Sequence, residues 1–163
     1  MKQFIDKHDD IYSRKNLIGH VTSSVIILDE EKKNILMGYH NIYKSWGWFG
    51  GHNDGDKDCL NVALKEAKEE TGLSEFKLID KKPLGIDVVY VKNHIKHGLY
   101  VPDHLHLNVT FGLLADSKKT IQFNENEHSG IMWFRINEYL NSVEEERMIP
   151  IYKKLVKRME EIN

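Results

Sequence analysis

Cysteine is almost missing from this chain. One residue, Cys59, occurs among 163, which excludes an internal disulfide framework and suits a reducing compartment. Cys59 stands beside Leu60 and reads as a small core residue rather than a reactive thiol. Proline is also scarce, at 3 residues against 11 glycines, and no stretch gathers either into a linker. With no repeats or low-complexity tracts, one domain over residues 1–163 is expected, long enough to bury a sizeable core. Charge of one sign is nearly absent: 23 Lys and Arg face 25 Asp and Glu, a formal net charge of -2. That balance gives no bulk electrostatic grip on a nucleic acid polymer. No apolar run approaches the roughly 20 residues of a membrane span, and Met1–Asp10 holds no apolar segment of signal-peptide length. The Asn108-Val109-Thr110 sequon falls in an expected strand and is read as coincidence. A cytoplasmic globular protein is expected, and 40% hydrophobic with 29% charged residues is ordinary for one.

What is present is a succession of strands around a central helix. Residues 20–29 read as a strand ending at the charged turn Glu30–Asn34. Asn34–Tyr43 reads as its antiparallel neighbour. Phe76–Asp80 and Gly85–Lys92 are strand segments split by Pro83, His104–Phe111 alternates as a strand, and Ile131–Ile136 is another. From Glu144 onward Met148, Ile151, Tyr152, Leu155, Met159 and Ile162 recur at helical intervals, which predicts a C-terminal amphipathic helix. These patterns alone predict an α/β or α+β fold.

The chemistry concentrates between Gly51 and Leu73. A glycine-containing acidic loop leads into a helix capped by Asp58 and closed by Gly72. Leu60, Val62, Ala63, Leu64 and Ala67 supply its apolar side. Glu66, Glu69 and Glu70, at offsets of three and four, share one face. Like charges crowded that way cost stability unless a cation sits among them. Hard divalent cations take oxygen ligands, and magnesium keeps coordination positions for substrate phosphates. A metal and a phosphorylated ligand are therefore expected.

The spacing resembles the Nudix box, G-x5-E-x7-R-E-U-x-E-E-x-G-U with U a bulky aliphatic. Gly51 opens the pattern, Glu66, Glu69 and Glu70 form its Glu-x-x-Glu-Glu run, and Gly72 with Leu73 closes it. The approach Trp46–Gly51 is similar to the aromatic, double-glycine entry common in that family. Three positions depart: Lys57 stands for the first glutamate, Lys65 for arginine, and Ala67 for the larger aliphatic. A glutamate and an arginine would attract each other, whereas two lysines do not, and lysine lacks the bidentate fork of arginine. Asp56 and Asp58 flank Lys57 as substitute acids. The departures bear on rate more than on metal binding, because the glutamate run is intact.

The resemblance implies an α/β/α sandwich with a mixed β-sheet and a magnesium-dependent enzyme in which manganese can substitute. Carried over to these positions, it makes Glu69 and Glu70 the first metal ligands and Glu66 either a ligand or the group that activates water. Gly51 would contribute its carbonyl, and Glu127, preferred to Glu125, a further carboxylate from the turn before a late strand. Lys65 is placed to steady phosphate charge, so Glu66, Glu69 and Lys65 form the candidate catalytic set. Candidate substrate contacts are His52, Trp46 and His106, although the large aromatics Trp46, Trp48 and Phe49 equally suit a buried turn. His104 and His106 lie two apart on one strand and share a face. With no cysteine or third histidine at evident ligand spacing, a hydrogen-bonded pair outweighs a metal pair there. Residues 93–102 read as a loop with Lys92, Lys96 and His97 on a positive face.

The expected activity is hydrolysis of a diphosphate linkage in a nucleoside diphosphate joined to another moiety. An oxidised nucleoside triphosphate, a nucleotide sugar, ADP-ribose and a dinucleotide polyphosphate all fit. The expected partner is such a small molecule, with no membrane and no nucleic acid polymer, for a monomer or homodimer. Isopentenyl-diphosphate isomerase chemistry needs a cysteine in a strand before the box, and Cys59 is inside the helix. A silent nucleotide sensor is the competitor that Lys57 and Lys65 favour.

Overall fold

The computed structural model describes residues 1–96, 98–123, 125 and 127–162, with the backbone alone at Lys96. In chain order the elements are α1 (Lys2–Ile5), β1 (Gly19–Asp29), β2 (Asn34–His40), β3 (Ser45–Gly47), β4 (Phe49–His52), α2 (Cys59–Thr71), β5 (Lys77–Leu78), β6 (Gly85–Val91), β7 (His94–Lys96), β8 (Leu99–Val101), β9 (His104–Ala115), β10 (His128–Arg135) and α3 (Ile149–Glu161).

All of β1 is buried, which accounts for its unbroken apolar run Val25–Leu28: a strand covered on both faces has no solvent side to make polar. Strand β9 runs parallel to it over its whole length, from Gly19 opposite Leu105 to Asp29 opposite Ala115. The other edge of β1 is shared antiparallel by β2 near its end and β4 near its start. The sheet continues outward through β10 beyond β2 and through β5 and β6 beyond β9.

Period two along β1 divides the core. Val25 and Ile27 join Phe49, Phe111 and Leu113 beneath Ala63 and Ala67 of α2. Ile26 and Leu28 join Ile35 and Met37 beneath Tyr152, Leu155, Val156 and Met159 of α3. The result is the expected α/β/α sandwich on a mixed sheet. Helix α2 starts where the Asp58 side chain accepts the Asn61 N–H at 3.0 Å and stops at Gly72, whose φ of 69° is left-handed. No helix among the described residues is long and apolar enough to cross a membrane.

Several boundaries differ from the sequence reading. The second strand stops at His40, and Trp46–Gly51 forms parts of two short strands rather than an irregular approach. Phe76–Asp80 keeps only Lys77 and Leu78 as strand. Residues 93–102, expected as a loop, carry the β7–β8 hairpin, with His94 opposite Val101. The His97 assigned to that loop's positive face, and the Lys96 side chain, lie outside the described residues. The segment before β1 packs Ile11 against Val21 and Leu107. It is pinned to the loop before α2 by the Gly55 N–H donating to the Tyr12 carbonyl at 2.8 Å and by a two-armed Arg14–Asp54 ion pair.

Candidate active site

Helix α3 covers only the later half of one face of the β1–β9 ribbon. On that same face the earlier half is polar: His20, Thr22 and Ser24 on β1 stand opposite His106, Asn108 and Thr110 on β9. These residues, apart from Thr110, floor a cavity of about 490 Å³, with Trp48 and Tyr152 at one side and Val89 and Val91 at another. The middle of the floor is internally satisfied. Asn108 Oδ1 accepts from the Thr22 and Ser24 hydroxyls, both at 2.8 Å, while its amide donates to Thr110 Oγ1 at 2.9 Å. Such a network holds the floor rigid, since each buried polar atom in it has a partner.

The carboxylates of α2 reach the cavity past β4, where glycine makes room. A Cβ on Gly51 would lie 2.6 Å from Glu66 Cδ, so the Glu66 carboxyl occupies the space any other residue would fill. One residue earlier, the Gly50 N–H donates to Glu70 Oε2 at 2.9 Å. Glu70 is buried, and its other oxygen faces His128 Nε2 at 3.7 Å, too long for a hydrogen bond. Burial pushes the Glu70 carboxyl up, against the opposing pull of His128 and the Gly50 N–H. Glu66 is pushed up to about 7, first by burial and then by the charges of Glu70 and Glu69. Glu127 also lines the cavity and adds to the repulsion on both. The C-terminal half of a helix, with its partial negative charge, worsens this crowding. The arrangement fits a hard divalent cation, which is what oxygen donors at this density select.

A Gly51→Ala substitution tests that geometry. The obstructing atom is the end of a flexible side chain, so the fold should survive while Glu66 is displaced. Activity is expected to fall roughly 100-fold, as for other misplacements of about 1 Å, with thermal stability changed little; steady-state kinetics and a melting curve check it.

Four histidines meet at the far end of the floor. The His20 ring centroid lies 5.0 Å from that of His52 and 5.1 Å from those of His104 and His106. Burial lowers the His20 pKa, and burial together with the neighbouring imidazoles of His52, His20 and His104 lowers that of His106 well below the usual value. Sequence spacing offers only the pair on β9. The parallel register places His20 opposite His106, and β4 brings His52 opposite Thr22, two residues along the same strand.

A sequence profile of the NUDIX domain matches residues 19–159. The chain belongs to the NUDIX family. Its activity class is accordingly that of a Nudix-type pyrophosphohydrolase. Solved structures with the same fold include a C. elegans Ap4A hydrolase in a binary complex, 14% identical with a TM-score of 0.62 over 86% of this chain and 94% of that one. An E. coli dihydroneopterin triphosphate pyrophosphohydrolase is 18% identical, with a TM-score of 0.64 over 84% and 92%. A NUDIX-family hydrolase from Clostridium perfringens is 18% identical, with a TM-score of 0.57 over 83% and 95%. Comparison with curated protein sequences returns no match.

Against the Nudix box, the structure gathers Gly51, His52, Glu66, Glu69, Glu70, His106 and Glu127 around one cavity. It places two expected residues elsewhere. Trp46 does not line the cavity, and its ring packs instead against Tyr39 and Phe134 at the margin of the core layer beneath α3. Trp48 lines the cavity instead. Lys65 is exposed and pairs with Glu69 at 3.7 Å on the outside of the helix. Asp56 and Asp58, considered as acids replacing the box glutamate, are spent on the helix start: Asp58 caps it, and Asp56 Oδ1 accepts the Asp58 N–H at 2.8 Å. Arg14, which carries no sequence signal, lines the cavity, and its pKa is raised mainly by the hydrogen bond to Asp54, with a smaller contribution from the Glu66 charge.

Proposed function

We propose that the protein hydrolyses a diphosphate linkage in a small nucleoside diphosphate joined to another moiety, using magnesium or manganese held by Glu66, Glu69, Glu70, Glu127 and the Gly51 carbonyl. The observation that carries this reading is the carboxylate cluster at the glycine gap, where burial first and then the neighbouring carboxylates raise Glu66 to about 7. Among the described residues, lysine and arginine relieve it only in part: Lys65 pairs with Glu69 and draws the Glu66 pKa down against the larger upward pushes, and Arg14 is committed to Asp54. A divalent ion bound there would neutralise phosphate oxygens and acidify a coordinated water. Glu66, poised near neutrality, suits proton acceptance. Glu70, anchored by the Gly50 N–H, suits a fixed ligand. His52, beside Gly51, suits phosphate contact, and His106 opposite His20 borders the same space. A cavity of about 490 Å³ suits a small molecule.

A second reading, binding without turnover, is favoured by Lys57 and Lys65, which replace the glutamate and arginine of the box. A release assay separates them. Nucleoside di- and triphosphates, nucleotide sugars and dinucleotide polyphosphates are offered with magnesium or manganese, beside a Glu69→Gln, Glu70→Gln variant. Turnover of at least one compound, reduced roughly 1,000-fold in the variant as several kcal/mol of charge stabilisation are lost, is the expected result. Metal-dependent binding with no turnover of any compound would establish the sensor.

A further inference from the structure

The ring Nδ1 atoms of His20 and His104 have hydrogen bonds of one polarity. His20 Nδ1 donates to the Asn16 carbonyl at 3.0 Å, a carbonyl being unable to donate in return. Its Nε2 therefore carries the lone pair, and that atom is buried with no hydrogen-bond partner among the described residues. His104 Nδ1 likewise donates to the Pro102 carbonyl at 2.8 Å, so its Nε2 is the acceptor for His106 Nε2–H at 3.1 Å. His106 is left with the lone pair on Nδ1. Ring nitrogens of His20, His52 and His106 lie within 4.8 Å of one another.

A phosphate or other anion would need N–H donors, and the N–H groups of His20, His104 and His106 are already given to carbonyls or to a neighbouring ring. What His20 and His106 present is lone pairs, and ring nitrogens of one buried and two half-buried histidines gathered this closely call for a Lewis acid. Donation of the second ring nitrogen to a backbone carbonyl or another fixed acceptor is the usual means by which proteins orient a ligating histidine. The turn before β1 is built for it: Asn16 Oδ1 accepts the Ile18 and Gly19 N–H groups, both at 3.2 Å, fixing the carbonyl that holds His20. Burial and the mutual proximity of the rings keep His20 and His106 in the neutral form that binds metal.

We propose that His20, His52 and His106 form a second metal site, for a zinc-class transition ion, distinct from the carboxylate site and positioned by His104 and Asn16. Imidazole nitrogens suit zinc, cobalt and nickel, whereas magnesium prefers oxygen. Nitrogens around a tetrahedral zinc stand about 3.3 Å apart, so the half-buried His52, at the end of β4, closes the set by ring rotation. Three protein ligands leave a fourth position, which is the pattern of a reactive rather than a purely structural zinc site. That position opens on the cavity and takes an oxygen from water or from the cavity's ligand.

The test is metal uptake by full-length protein stripped with chelator, and it does not use turnover. Cobalt(II) is titrated and read by its visible absorption, then displaced with zinc. Wild type and the Glu69→Gln, Glu70→Gln variant are each expected to take up one tightly bound ion that excess magnesium leaves in place. His52→Gln and His106→Gln should weaken uptake roughly 100-fold or more. Far-UV circular dichroism verifies that both variants keep the fold, and His94→Gln, a cavity histidine outside the cluster, should bind as wild type does. No uptake by wild type, displacement by magnesium, or loss in the glutamate variant with retention in folded histidine variants would each overturn the proposal. Failure to hydrolyse any diphosphate would bear on the proposed function and leave this site untouched.

Discussion

Replacing Glu66 by glutamine is expected to make the metal-free protein more stable above neutral pH while removing most of its activity. The Glu66 carboxyl is held at about 7 in the folded chain, against an ordinary value near 4.3 once unfolded. A raised folded pKa means that the native state favours the proton. Its stabilising contribution is complete below the unfolded value and is lost as pH rises through 7. At pH 8 the folded protein therefore carries a carboxylate that burial, Glu70 and Glu69 all oppose. Discounted for partial exposure, that penalty is about 2 kcal/mol. Glutamine keeps the shape and removes the charge. In chelator at pH 8 the variant should melt about 4–8 °C higher than wild type, and at pH 4 the two should coincide. Added magnesium should raise wild type more than the variant, because ion binding to the native state is the force the cluster is built for. Turnover should fall roughly 100- to 1,000-fold, the usual range for losing a positioned proton acceptor or charge stabiliser. Equal melting points at pH 8 would show that the cluster is relaxed without metal and would remove the main support for the carboxylate site.

This opposition between stability and chemistry explains why some of the site is legible in the residue order and some is not. Helix spacing is local, so three glutamates at offsets of three and four announce a shared face by their spacing alone. The N-cap at Asp58 and the left-handed stop at Gly72 are local for the same reason. The two core layers follow from period two on β1 and from the helical spacing of α3, and both are readable. The histidine site is not. His20, His52 and His106 come together only because β1 and β9 pair in parallel and β4 folds back on β1. Parallel pairing requires a long crossover, which leaves no short-range spacing to detect. Trp46 shows the reverse error. Its position in the approach is legible, but its neighbours depend on register with β2, where it stands opposite Tyr39, and a shift of one residue would exchange them. Arg14 is invisible because its partner Asp54 is forty residues away and the segment carrying it has no periodic pattern.

Gly50→Ala is expected to be the most damaging single-atom addition near the site. Gly50 has φ of 152°, and a Cβ there would lie inside contact distance of the Ser23 carbonyl oxygen and 2.6 Å from Ser24 Cα. Those atoms belong to the backbone of β1, which is buried along its whole length and flanked by β9, so they cannot yield as the Glu66 side chain yields to a methyl on Gly51. Either β4 leaves β1 or the central strand distorts. Both break the ladder that sets Gly51 opposite Ser23, and both withdraw the Gly50 N–H from Glu70, leaving a buried carboxylate with one donor fewer. Backbone strain of about 1–3 kcal/mol and an overpacking cost of about 1–3 kcal/mol together predict a loss of roughly 3–5 kcal/mol, read from a urea melt. Gly55→Ala isolates the first of these. Gly55 also has a positive φ, 99°, but a Cβ there meets nothing within 4 Å, so only the conformational cost should appear and the cavity should keep its activity. If the two variants lose the same stability, the collision with Ser23 and Ser24 is relieved by motion of β4. The glycine gap would then be a flexible entry to the carboxylates rather than a fixed frame for them.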